Sequence, residues 1–81
     1  MRVRFLLFAS YRDLAGTEEL ELELLAGSSA AEAVASLRAC GPAFSRIPAE
    51  PVVAVNREYA PLSTVLQADD ELALLPPVAG G

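Results

Sequence analysis

The sequence predicts the α+β class, with one main helix packed on one face of a mixed sheet. Three observations carry that prediction. The stretches "RVRFLLFA" (2–9) and "EELELELL" (18–25) alternate with the two-residue period of β-strands. The segment "GSSAAEAVASLRACGP" (27–42) changes to helical spacing. Two short apolar runs, "VVAV" (52–55) and "ELALL" (71–75), come after the helix, which places a single helix on one side of one sheet.

In the first strand, Val3, Phe5 and Leu7 share one face and Arg2, Arg4, Leu6 and Phe8 the other. The second strand separates Leu20, Leu22 and Leu24 from Glu19, Glu21 and Glu23. Between the two, "SYRDLAGT" contains the turn-forming Gly16, and Arg2 and Arg4 facing Glu21 and Glu23 favour an antiparallel hairpin. Ser29 followed by Glu32 is a capping-box pattern. Ala30, Ala33, Val34 and Leu37 form the buried stripe, and Gly41 and Pro42 stop a helix of about ten to twelve residues. A loop with Pro42, Pro48 and Pro51 leads to the third strand, "NREY" supplies a turn, and "PLSTVLQADDE" reads as irregular with an acidic turn at Asp69 and Asp70. In the last strand Leu72 and Leu74 point inward. After the crossover this strand can lie parallel to the first in the middle of the sheet, which is a β-grasp arrangement.

With 81 residues, no repeat and no long linker, residues 1–81 make a single domain. No apolar run approaches the roughly 20 residues needed to cross a bilayer, and the start reads as a strand rather than a secretory signal. One cysteine, Cys40, cannot form an internal disulfide, so the expected location is the cytoplasm. A net charge of −5 without lysine or histidine argues against a nucleic-acid-binding face and points to basic partners. The missing histidine removes the commonest general base and metal ligand, so no catalytic side chains and no metal site are assigned.

Two features point to partner proteins. If the first and last strands are neighbours, Leu6, Phe8, Ala73 and Leu75 leave the sheet face opposite the helix partly apolar; it is either a protein-contact surface or covered by the loop near Tyr59 and Leu62. The second feature is the ending "PPVAGG" (76–81), expected to be a flexible functional tail. Pro76 and Pro77 withhold amide donors and end the sheet. Six residues at about 3.3 Å each reach roughly 20 Å, enough to enter a partner's site. Gly80 and Gly81 let a narrow channel close on their backbone. The terminal carboxylate, with a pKa near 3.5, is ionised and needs activation before acyl transfer. A frayed end is the other reading of the same residues.

The stretches "LLFASYRDLAGT", "VAVNREYA" and "LQADDELALLPPVAGG", with the length, resemble the small, ubiquitin-like sulfur-carrier subunits of molybdopterin synthase over essentially the whole chain. The chain looks less like the thiamin-pathway carrier, which is usually shorter and lacks "LLPPVAGG". The resemblance implies a non-catalytic sulfur-donor subunit with no bound cofactor. A ubiquitin-activating-type adenylyltransferase would use ATP to adenylate Gly81. A sulfur donor, a cysteine desulfurase or a rhodanese-like protein, would convert the adenylate to a thiocarboxylate. The tail, with Gly80, would then enter the large catalytic subunit and give sulfur to cyclic pyranopterin monophosphate, forming the molybdopterin dithiolene; the synthase is typically a heterotetramer. Phe8, Tyr59, Leu75, Pro76 and Pro77 are the implied partner-binding positions, and Leu75 departs from the aromatic residue often found there. The alternatives are a sulfur carrier for thiamin, cysteine or tRNA thiolation, a ubiquitin-like protein modifier, or an interaction module with a frayed end. Cys40 is read as structural or incidental rather than as a persulfide carrier.

Overall fold

The structure, a computed structural model, describes residues 1–77. The chain runs β1 (Arg2–Leu7), α1 (Ala9–Ala15), β2 (Glu19–Glu23), α2 (Ala30–Arg38), a single 3-10 turn (Phe44–Arg46), β3 (Val52–Val55), β4 (Glu58–Ala60) and β5 (Glu71–Leu75). The strands form one sheet in the order β2-β1-β5-β3-β4. Strand β5 is central, parallel to β1 and antiparallel to β3. That is the expected β-grasp.

The core forms between the inward sheet face and α2. Val3, Phe5, Leu72 and Leu74 meet Ala30, Ala33, Val34 and Leu37, all eight with no exposed surface. Both halves of the capping box are present: Ser29 Oγ accepts the Glu32 amide (3.2 Å), and Glu32 Oε1 accepts the Ser29 amide (3.0 Å). The next amides of α2, from Ala30 and Ala31, donate to the carbonyls of Thr64 and Leu62, which ties the segment expected to be irregular to the start of the helix. Arg38 closes the other end, its Nε donating to the Ile47 carbonyl at 2.6 Å.

The structure corrects four expectations. The link between β1 and β2 is a helix, α1, and not only a turn. Tyr11 is buried, Leu14 and Ala15 pack on the core from the same side, and Gly16 ends the helix at φ 74°, where a residue without Cβ is unstrained. The first two strands are correspondingly shorter than expected, ending at Leu7 and Glu23. Helix α2 has nine residues, because Ala39 already caps it before Gly41. "NREY" is only half a turn: Asn56 and Arg57 both take positive φ (50° and 73°), as a two-residue hairpin turn requires, and Tyr59 sits on the edge strand β4.

Candidate functional site

Helix α2 covers one face of the sheet, so the site follows from what the opposite face presents. On β2 and β1 that face carries Glu19, Glu21, Glu23, Arg2, Arg4 and Leu6. Parallel register places Arg4 beside Glu71 and Leu6 beside Ala73, and antiparallel register places Ala73 beside Ala54, Leu75 beside Val52, and Ala54 beside Tyr59. The face therefore divides along the strands. One half is charged; the other, at the end where β5 finishes, is apolar.

The charged half is a lattice of ion pairs, exposed at every member but the half-buried Glu71. Arg2 Nε lies 3.4 Å from Glu21 and 3.6 Å from Glu23, while Arg4 lies 2.9 Å from Glu71 and 3.7 Å from Glu19. Arg4 is registered opposite Glu21, yet its ion pairs run to Glu19 and Glu71. Exposed pairs of this kind contribute roughly 0.2–1 kcal/mol each. Their larger effect is to keep this half wet. The start of β5 is held more firmly: Asn56 Nδ2 donates to Asp70 Oδ1 (2.9 Å), the Glu71 amide donates to Asn56 Oδ1 (3.0 Å), and Asp70 Oδ2 accepts the Gln67 amide (2.7 Å). From sequence Asn56 and Asp70 read only as turn residues, and their side-chain bonding needs tertiary proximity to be seen.

The apolar half brings together the sequence-predicted contact residues. Phe8 directly follows Leu7, the register partner of Leu74, and keeps an extended backbone (φ −120°, ψ 154°), so it stands level with Leu75. Phe8 is 44% exposed, Val52 55% and Tyr59 79%. Leu6, Leu75 and Pro76 are half-buried and Pro77 is exposed. Ala73 was expected on this face and occupies it, but is buried, a short methyl flanked by Leu6 and Ala54 in the middle of the sheet. The expected alternative of local cover fails: Tyr59 stands out from the edge, and Leu62 packs on the core. Pro76 and Pro77 follow β5 directly from this patch. Gly80 and Gly81 lie outside the described residues.

Cys40 is exposed just past α2, in the layer opposite the patch, and its Sγ lies 3.4 Å from the Ser36 carbonyl. Burial pushes the Tyr11 hydroxyl above its ordinary pKa. No group of three or more metal-ligating side chains comes together among the described residues, and none of their helices is long and apolar enough to cross a membrane.

The family model matching the chain is that of the ThiS family, over residues 5–81. The chain belongs to the ThiS family. Two curated relatives are molybdopterin synthase sulfur carrier subunits. The one from Arabidopsis thaliana is 35% identical over all of this chain and 84% of the relative; that from Chlamydomonas reinhardtii is 34% identical over the full length of both. The resemblance drawn from the hairpin motif and "LLPPVAGG" is thereby borne out. Among solved structures, small archaeal modifier protein 1 of Haloferax volcanii matches this ThiS-family chain with TM-score 0.84 and 29% identity, over 95% of this chain and 98% of that one. A chain in the complex of subunits 1 and 2 of the molybdopterin-converting factor from Helicobacter pylori 26695 matches over the full length of both with TM-score 0.71 and 24% identity, a likeness of fold.

Proposed function

We propose that this chain is the sulfur carrier subunit of molybdopterin synthase, acting in the cytoplasm. The observation that carries the reading is relationship over the whole of this chain to two such carriers, above 30% identity. The fold explains how such a carrier works without a catalytic side chain of its own. Its body docks through Phe8, Tyr59, Leu75, Pro76 and Pro77, and its tail delivers a group to chemistry housed elsewhere. The Gly81 carboxylate oxygen attacks ATP held by a ubiquitin-activating-type adenylyltransferase, releasing pyrophosphate. The outer sulfur of a persulfide on a cysteine desulfurase or rhodanese-like donor displaces AMP at the carbonyl carbon, and a thiol reductant then cleaves the resulting acyl disulfide to free the thiocarboxylate. The thiocarboxylate is a nucleophile, and on the large catalytic subunit its sulfur bonds to cyclic pyranopterin monophosphate while water hydrolyses the acyl–sulfur bond and returns the Gly81 carboxylate. That a molybdopterin-converting factor of the same fold was solved as a complex of subunits 1 and 2 supports a large-subunit partner.

A strain lacking its own small subunit tests the reading. The full chain restores molybdenum-cofactor synthesis and a chain truncated after Ala79 does not. Intact mass after incubation with the adenylyltransferase, ATP and a sulfur source rises by the difference between sulfur and oxygen. Failure of both overturns the reading. The likeness to an archaeal modifier protein favours a second reading, conjugation of the same carboxylate to lysines of other proteins, which the same incubation reveals as covalent adducts.

A further inference from the structure

A groove of about 250 Å³ opens beside the apolar patch, lined by Leu6, Leu7, Phe8, Arg12, Glu18 and Glu19. Leu6 and Phe8 belong to both, so the groove continues the docking face around the end of the hairpin. Its lining combines the apolar Leu6, Leu7 and Phe8 with the charged Arg12, Glu18 and Glu19. Arg12 Nε is 3.7 Å from Asp13 of its own helix, and Glu19 is 3.7 Å from Arg4. Glu18 makes no ion pair with a described residue. Its carbonyl accepts the Leu7 amide at 2.9 Å, which holds its backbone beside the groove-lining Leu7. Apolar side chains lining the same groove as an unpaired carboxylate suit a side chain with a hydrocarbon stem and a cationic head. The chain's net charge of −5, with six cations against eleven carboxylates, selects the same sign of partner.

We propose that this groove receives an arginine or lysine side chain of the partner docked on the apolar face, its stem against Leu6 and Phe8 and its head at Glu18. The inference rests on the docking reading and adds the partner's contact chemistry. The other candidate surfaces carry less: α2 shows solvent a stripe of small residues, and the Asn56–Asp70 cluster satisfies its own hydrogen bonds.

The test is titration of the purified large catalytic subunit with the unaltered chain and with Glu18→Gln, Glu18→Lys and Glu23→Gln, at low and high salt. Glu23→Gln removes the same charge from the far end of β2, about 17 Å away at strand rise. Glu18→Lys weakens binding about tenfold or more at low salt, Glu18→Gln weakens it by less, and both reduce the salt dependence. Thermal unfolding stays unchanged, since Glu18 is exposed and unpaired. Tail activation, read by intact mass without the large subunit, also stays unchanged. If Glu18→Lys binds like the unaltered chain, or Glu23→Gln costs as much as Glu18→Gln, the groove contact is overturned while the docking face stands. If the unaltered chain does not bind, the docking reading falls with it.

Discussion

Replacing Tyr59 with alanine separates contact with a partner from folding. The ring is 79% exposed on the edge strand β4, so its removal opens no cavity, and the cost in stability is about 0.5 kcal/mol or less. The cost in binding is larger. A tyrosine presents about 150–250 Å² of buriable surface. Four-fifths of it remains uncovered here, on the order of 120–200 Å², which at about 25 cal/mol per Å² corresponds to about 3–5 kcal/mol if a partner covers it fully. Side-chain ordering and desolvation of the hydroxyl consume part of that. The expected net loss is about 2 kcal/mol, or about thirtyfold in Kd. Calorimetric titration against the large catalytic subunit measures this loss, with thermal unfolding of the same samples alongside. Phe5→Ala is the inverse control: Phe5 has no exposed surface, and its truncation costs about 3–5 kcal/mol of folding stability. Unchanged affinity in Tyr59→Ala would remove Tyr59 from the docking face. A fall in Tm comparable to that of Phe5→Ala would contradict its exposure.

Two further predictions concern the scaffold. Ser29→Ala breaks the capping box at the start of α2 and costs about 1 kcal/mol, lowering Tm by about 4–8 °C, while the mass gain at the tail stays at its unaltered level. Burial raises the Tyr11 hydroxyl above 10.0, so the folded chain keeps a proton that the unfolded chain releases. The associated stability is fully present below about pH 10 and is lost as pH rises towards the folded value. Urea unfolding across that window shows the decline, and Tyr11→Phe flattens it; an equal decline in Tyr11→Phe refutes the assignment.

Much of the fold could be read because alternation and capping are local signals. Val3, Phe5, Leu72 and Leu74 are inward as parity required, and all four helix positions read as buried are buried. The misses have local causes as well. In "ASYRDLAG", Tyr11, Leu14 and Ala15 do carry helical spacing ahead of a glycine stop, but over two turns that pattern competes with the reading of Gly16 as a hairpin turn. Strand β4 was hidden because Arg57 occupies a left-handed position usually given to glycine, so the hairpin signal was weak. Of the apolar half of the sheet face, Phe8 and Leu75 are legible from parity and Tyr59 from the resemblance. Val52 was missed because a fully apolar strand does not reveal which side is covered. The groove could not be read at all, since Phe8, Arg12 and Glu18 meet only once α1 has turned the chain.

The placement of β5 fixes where the chain leaves the sheet. A terminus leaving an edge strand would be held by one ladder, and edge strands are the first part of a sheet to open. Here the last strand pairs on both sides, with Val52 opposite Leu75 at the point of exit, and its start is clamped by Asn56 and Asp70. Pro76 and Pro77 lack the amide hydrogens that would extend either ladder, so the sheet ends at Leu75 and cannot draw the following residues in. The exit point is therefore fixed relative to Phe8, Val52 and Tyr59. A partner that grips those three side chains therefore also determines where the chain leaves the sheet.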